Sequence, residues 1–477
     1  MTLYTKKWTA LAVLLSAHLL TIVDIFIINV AIPSIQRGIR AADSEIQLIV
    51  SIYMIGLASF LIIAGKAGDH YGRKKVFLLG IFLFMLSSIG CCFAAKPGIL
   101  MLMRFLQGIS AALMSPQVLS FIQVLFTHHT DRTYAIGLYG ITIGLGTTLG
   151  QFLGGYLVGL EPVVVQQSWQ YIFMVNVPIC IAAIVMGSAY LPESKDTSSR
   201  GMDYTGAGLL CSGLVCLIFS VTIGRDLGAA YCLVSLLFSL IILTAFVINQ
   251  RHKNRKSKTA LLNTALFKYK NFNMALAAVA LFMLMLDSYF FILTLFLQKA
   301  LLLPPLQAGY FVAAQGLGFL SASLFTAKLL LRYGRAVLII GVIMIIGALI
   351  LQLFTFNHSG LSFIRLTIMV LHGCGVALVL PSLAGIAISG LTGNLAGSAS
   401  GLYTTVQQLF GAFGIALTGA VFYHIVKGGD NFGSYYSAFL YGIAINIICL
   451  IGVLLILVLL PKSSLPNGFL KNKNLKK

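Results

Sequence analysis

The sequence predicts an all-α membrane protein built from two six-helix bundles related by an internal repeat, with a helical hairpin inserted between them. Three observations lead there. Of the 477 residues, 59% are hydrophobic and 9% charged, and the mean hydropathy is +0.97, far outside the range of a soluble domain. Apolar runs long enough to cross a hydrocarbon layer of about 30 Å recur fourteen times along the chain. A loop and four membrane-embedded charges recur at nearly one interval in the two halves.

The predicted spans are 9–31, 46–65, 76–95, 99–122, 133–158, 170–190, 205–224, 229–249, 274–297, 307–327, 336–356, 361–386, 399–425 and 436–460. The first follows Lys6 and Lys7, but it exceeds the length of a signal-peptide core, contains Asp24 and lacks a small-residue cleavage site. It reads as a retained helix. The stretch "NQRHKNRKSKTALLNTALFKYKNF" leaves no room for a separate soluble domain. The organisation expected is therefore a first bundle over 1–200, an inserted helix pair over 201–250, a basic amphipathic linker over 251–273, a second bundle over 274–461 and a basic tail over 462–477. The eight cysteines all lie in apolar spans without CxxC spacing, so they read as small core hydrophobes.

The formal charge of +20 is a record of topology. With both termini cytoplasmic, twenty-four of the 32 Lys and Arg fall in cytoplasmic segments, and six (Arg37, Arg40, Lys96, Arg225, Lys299, Lys427) fall outside. Such a bias over short loops is the positive-inside pattern, and nucleic acid is not needed to explain it. The remaining two, Arg104 and Arg365, lie within spans, as do only Asp24 and Asp287 among twelve acidic residues. A charge at mid-helix costs about 2.5–3.5 kcal/mol on insertion scales, so these four should face a protein interior or an aqueous cavity.

The loop "GKAGDHYGRKK" (65–75) and the loop "AKLLLRYGRAV" (327–337) align at an offset of 262, which superposes Tyr71, Gly72 and Arg73 on Tyr333, Gly334 and Arg335. At nearly the same offset Asp24 falls within one residue of Asp287, and Arg104 within one of Arg365. Spans 1–6 then correspond to 9–14, with 7 and 8 inserted. The expectation is one water-accessible chamber at the repeat interface, where all four charges meet. No nucleophile with an adjacent base, no metal-ligand spacing and no phosphate-cradling glycine loop stands out, so neither an enzyme nor a metal site is expected.

With these residues in view the chain resembles the major facilitator superfamily, and within it the fourteen-helix drug:proton antiporters of the EmrB/QacA type. The loop fits the pattern G-x-x-x-D-x-x-G-R-K/R through Gly65, Asp69, Gly72, Arg73 and Lys74. "VDIFIINVAIPSI", "RFLQG" (104–108) and "GSASGLYTTVQQLFGAFGIA" (397–416) are similar to the family's segments of helices 1, 4 and 13. The resemblance implies a major facilitator fold in a bacterial inner membrane and export of drugs or similar amphiphiles by alternating access. It also implies that the first loop latches the bundles in one state; in the second loop Leu331 replaces the acid. Two departures stand out: Gln151 occupies a place where the antiporter pattern has proline, and Gln170 one where the family often has arginine. Gly146, Gly150, Gly154 and Gly155 remain in the fifth span, and a stripe of small residues lets helices approach closely. Trp169 reads as an interfacial anchor, with Asn176 and Pro178 as a helix adjustment.

A low-dielectric wall penalises an ionised carboxylate, so Asp24 or Asp287 is expected to load and release a proton, with Arg104 orienting or discharging it. Asp24, Asp287, Tyr289, Arg365 and His372 are the expected cavity residues; His372 follows Arg365 by seven positions and so shares its helix face. No cofactor is expected, because the proton gradient drives the cycle. The partners expected are protons, a small-molecule substrate, the bilayer and, in a Gram-negative cell, a periplasmic adaptor, with the chain working as a monomer. Export of one metabolite, siderophore or peptide would leave the same features. A non-transporting receptor or assembly subunit on this fold is the third reading.

Overall fold

The structure is a computed structural model that describes residues 3–195, 203–222, 227–256, 260–262, 264–356, 362–388, 393–429 and 431–460. The expected tail, 462–477, lies outside them. Among the described residues fourteen helices are long and apolar enough to cross a membrane. They are α1 (Leu3–Ile39), α2 (Asp43–Tyr71), α3 (Arg73–Cys92), α4 (Pro97–Leu125), α5 (His129–Val158), α6 (Ser168–Tyr190), α7 (Tyr204–Val221), α8 (Ala229–Arg255), α9 (Lys270–Ala300), α10 (Pro305–Tyr333), α11 (Ala336–Thr355), α12 (Phe363–Ile388), α13 (Gly393–Val426) and α14 (Phe432–Leu459). Several outrun the predicted spans, because apolar length measures only the hydrocarbon while the helix continues through the headgroups. Proline at the first turn starts α4 and α10, where its missing N–H costs nothing. Gly72 and Gly334 end α2 and α10 with φ of 108° and 59°, a backbone region that favours glycine.

Within each bundle, glycines let helix backbones meet, and the same contacts register one bundle against the other. A Cβ at Gly80 of α3 would strike Ser110, Leu113 and Met114 of α4; one at Gly341 of α11 would strike Gly375, Leu378 and Val379 of α12. Gly108 meets the Tyr53 carbonyl as Gly373 meets that of Gln315. These contacts relate α2 to α10 by 262 residues but α4 to α12 by 265. The loop before α12 is longer than the loop before α4, and loops absorb insertions that packed helices do not. Arg104 therefore corresponds to Met369 and Arg365 to Leu100, which corrects the expected pairing of the two arginines.

Two seams join the bundles. Along α2 and α13, Gln47 packs on Gly419, Met54 on Gly411 and Ile62 on Gly401, while Thr405 donates to the Ala58 carbonyl at 3.3 Å. These contacts span residues 47–62 of α2 and 401–419 of α13, just over half of each helix. Along α5 and α10, Gly155 meets Pro305, Gly309 meets the Gln151 carbonyl, Gly316 meets Thr148, and Gly144 meets Leu320. One and two turns further along that face of α5, Gly140 and Gly137 have nothing within 4 Å. The second seam thus covers half the helix length and then parts, on the face of the protein that carries most of the basic residues. At the opposite face α1 and α9 are bound together: Gln298 donates to the Val30 carbonyl at 2.8 Å, Lys299 to Gln36 at 3.0 Å, and Gln36 to Asp43 at 2.7 Å. Helices α7 and α8 pair with each other, and α7 leans on α2 and α13.

Gly146, Gly150 and Gly154 face α1, where a Cβ would stand 2.8 Å from the Val23 carbonyl oxygen at Gly150 and 2.6 Å from that of Ile27 at Gly154. Gly150→Leu should therefore cost about 1–3 kcal/mol through overpacking. Gly137→Ala should be neutral or stabilise by up to about 1 kcal/mol. Thermal unfolding of the two purified variants beside the unchanged chain checks this contrast.

Candidate functional site

Asp24 is fully enclosed in α1, and three side chains on two other helices supply what water would. Arg104 donates to one carboxylate oxygen at 2.5 Å, and Gln107 and Asn176 donate to the other at 2.9 Å each. Arg104 and Gln107 lie three residues apart on one face of α4, and Arg104 also donates to Gln107 at 2.8 Å. Ser88 of α3 accepts from Gln107 at 2.9 Å and from Asn176 at 3.3 Å. The Arg104 guanidinium stacks over the Tyr53 ring, 4.4 Å from its centroid, with Phe173 at 5.9 Å. Four helices of the first bundle are thus tied to one buried ion pair.

Asp287 is placed differently. It is 5% exposed, its Oδ2 has no hydrogen-bond partner among the described residues, and its carboxylate rests on Gly411 of the α2–α13 seam. It lines a cavity between the bundles whose other polar members are Asn29, Tyr53 and Arg104; Ile25, Val50, Met54 and Ile415 form the apolar wall. The cavity has a volume of about 10 Å³, about the space of one water molecule and far below a drug-sized pocket. In this arrangement it has room for no more than about one water-sized group, so a larger molecule needs the bundles to move apart.

The expected meeting of four charges is only half realised. Arg104 and Asp287 share the cavity, and Asp24 stands behind Arg104, outside the lining. Tyr289, two positions and hence about 200° from Asp287 around α9, points into the second bundle. There it donates to Gln352 at 3.0 Å and to the Met369 sulfur at 3.4 Å, and stacks on His372 at 4.5 Å. His372 corresponds to Gln107 and Met369 to Arg104, so the second bundle fills the place of the ion pair with an uncharged cluster. Arg365 sits in the first turn of α12, 8% exposed, its guanidinium 6.0 Å from the Phe356 ring. The longer loop carries it about a turn away from the level expected.

Other expectations also shift. Trp169 is 2% exposed, with its indole N–H on Gln167, so it is a packed residue and not an interfacial anchor. Asn176 binds Asp24 instead of merely adjusting a helix. Gln170 donates to the Cys92 carbonyl at 2.7 Å, closing the end of α3. In the loop, a Cβ at Gly65 would stand 3.7 Å from Pro116, Asp69 pairs with Arg73 of its own loop at 2.8 Å, the Arg73 N–H reaches the Ser194 carbonyl at 2.8 Å, and Lys74 reaches that of Ser188 at 2.7 Å. Gln107 was discoverable from its place inside "RFLQG", three residues after Arg104. Tyr53 carries no local signal, since aromatic residues abound in such helices.

Removing one member of a buried pair costs about 3–5 kcal/mol because the survivor is left uncompensated. Arg104→Met is expected to lower stability by that amount, and the double variant Asp24→Asn/Arg104→Met by less than the two single losses combined. A double-mutant cycle read by thermal unfolding measures the coupling.

The sequence profile of the Major Facilitator Superfamily matches residues 14–415. A probable actinorhodin transporter of Streptomyces coelicolor is 32% identical over 89% of this chain and 74% of its own. A puromycin resistance protein of Streptomyces alboniger is 29% identical over 95% and 90%, and a multidrug efflux pump of Mycolicibacterium smegmatis 28% over 88% and 81%. Among solved structures, a D-xylose–proton symporter has a TM-score of 0.66 at 14% identity, covering 94% of this chain and 97% of its own. A bacterial homologue of the human lysosomal transporter Spinster has a TM-score of 0.65 at 14% identity, covering 95% of each; both likenesses speak to the fold. With a family match over residues 14–415 and fourteen helices long and apolar enough to cross a membrane among the described residues, the chain belongs to the Major Facilitator Superfamily, as a multi-pass transporter of small molecules.

Proposed function

We propose that this protein is a secondary-active, proton-coupled exporter of drugs or similar amphiphilic molecules that works by alternating access. The observation that carries the reading is Asp287, a buried carboxylate with one unpartnered oxygen, in a cavity between two bundles that are bound together at one face and parted at the other. The resistance and efflux proteins among its relatives support the choice of cargo. The positive-inside pattern supports a bacterial inner membrane with both termini in the cytoplasm, so the bound face is outward and the parted face inward. The chain would act as a monomer, with a periplasmic adaptor in a Gram-negative cell.

In the proposed cycle Asp287 takes a proton from outside and gives it up to the cytoplasm, while the Asp24–Arg104 pair keeps its charges and holds the first bundle rigid. Arg104 and Asp287 line the same cavity. Cargo enters through the parted face and meets Tyr53, Met54 and the Asp287 carboxylate. The inward proton supplies about 1.4 kcal/mol per pH unit and ~2.3 kcal/mol per 100 mV, which together support accumulation of roughly several hundredfold. No bound cofactor is needed. Two relatives bear the name of a single compound, which favours a dedicated metabolite exporter as the second reading.

The test is transport in proteoliposomes with an imposed pH gradient. Asp287→Asn should abolish gradient-driven uptake, by about tenfold or more, while leaving downhill exchange measurable. If that variant couples protons normally, the assignment of Asp287 fails. A panel of structurally unrelated drugs separates the readings: several cargoes favour multidrug export, and one alone favours the dedicated exporter.

A further inference from the structure

The inserted pair α7–α8 has no counterpart in the repeat, and its basic end is tied in a knot. Asp203 caps α7, accepting from the Gly206 N–H at 2.7 Å. It also accepts from Gln250 at 2.7 Å and from Lys253, both on the last turns of α8. Gln250 in turn accepts from the N–H groups of Leu261 and Leu262 at 2.8 and 3.0 Å, and Asn254 donates to the Leu262 carbonyl at 2.7 Å. Those residues belong to the linker that leads into α9, and Leu261 and Leu266 anchor it by burial. Burial alone would raise the Asp203 carboxyl, but the bonds from Lys253, Gln250 and Gly206 outweigh it and hold the group below the ordinary carboxylate range. The knot is therefore ionised and intact near neutral pH; its contribution fades only as pH falls through that depressed value.

Two further bonds join this knot to α2. Lys66 donates to the Ala260 carbonyl at 2.5 Å, and the Tyr71 and Tyr204 hydroxyls lie 3.1 Å apart. Both α2 residues flank or belong to the 65–75 loop. On the other side of the linker, Asn273 in the first turn of α9 donates to the Phe267 carbonyl at 2.7 Å. Only ten positions separate the clamped Ala260 from Lys270, where α9 begins, and half of them are wound into the turn Thr264–Lys268. The basic end of α9 is held close to that of α2, and α9 is the helix that carries Asp287, Gln298 and Lys299.

From this geometry we infer that Asp203 is a positioning residue for transport: with Gln250 and Lys253 it makes the inserted helix pair a buttress that straps the linker to α2, and so favours the outward-closed arrangement. The inference rests on the alternating access proposed above, but not on the identity of the cargo or on the role of Asp287. It gives the inserted pair a function beyond filling membrane.

Hydrogen exchange of the full chain in lipid nanodiscs, without substrate, tests it. Asp203→Asn breaks the knot; Lys66→Met cuts only its tie to α2 and leaves the α7 cap in place, so a folding defect in the first variant does not decide the outcome. Both should speed exchange in the linker. Both should also speed exchange about tenfold at the outer helix ends, Val30–Arg40 and Phe296–Leu303, a population change worth about 1.4 kcal/mol. Faster exchange confined to residues 203–268, with the outer ends unchanged or slower, overturns the inference and leaves Asp203 as a local cap. So does a misfolded Asp203→Asn beside a Lys66→Met chain whose outer ends exchange like those of the unchanged protein.

Discussion

A carboxylate placed in a bilayer's interior has to find inside the protein what water no longer supplies, and the two buried acids of this chain meet that demand in opposite ways. Asp24 is answered by an arginine and two amides from α4 and α6. The result is a closed network that pins α1, α3, α4 and α6 into one rigid body. Asp287 leaves an oxygen unanswered beside a cavity. A satisfied group is a structural fixture; an unsatisfied one at a cavity wall is where a proton or a cation gains most by binding. The division between a rigid first bundle and a responsive centre follows from that difference.

The seams between the bundles express the same separation of rigid and movable parts. Each seam is made of glycines against side chains or carbonyls, which allows contact without deep interlocking. The α2–α13 seam reaches from Gln47 to Ile62, and Asp287 rests on its Gly411, so a change of charge on that carboxylate is felt where the bundles touch. The α5–α10 seam ends at Gly144. Opening the outer side requires that the polar bonds from Gln298 to Val30 and from Lys299 to Gln36 break and that the glycine contacts of the α5–α10 seam part.

The repeat is the skeleton of the molecule, yet its halves are not chemically equivalent. The place held by Arg104 and Gln107 in the first bundle is held by Met369 and His372 in the second, and Asn446 accepts from Ser288 at 2.8 Å where Asn176 donates to Asp24. An uncharged cluster needs no compensating ion, so the second bundle spends no charge on its own rigidity and keeps its one central acid for the cavity.

The number of helices, their order, the orientation bias and the acids worth watching were all legible in the chain, because hydrophobic length and loop charge are local quantities that add along a sequence. The loop motif, the glycine stripe of α5 and the duplicated architecture were legible for the same reason. What touches what was not. A few extra residues before α12 leave every apolar pattern intact while moving Arg365 about a turn from the level of Arg104, and a step of two residues around α9 turns Tyr289 away from the cavity that Asp287 faces. The partnership of Asp24 with Gln107 and Asn176, the cover of Tyr53 over Arg104, and the knot at Asp203 join segments up to about 150 positions apart. Only the packed helices decide such contacts, since the direction of a side chain around its axis and the depth of its helix in the bundle are set by neighbours distant in sequence.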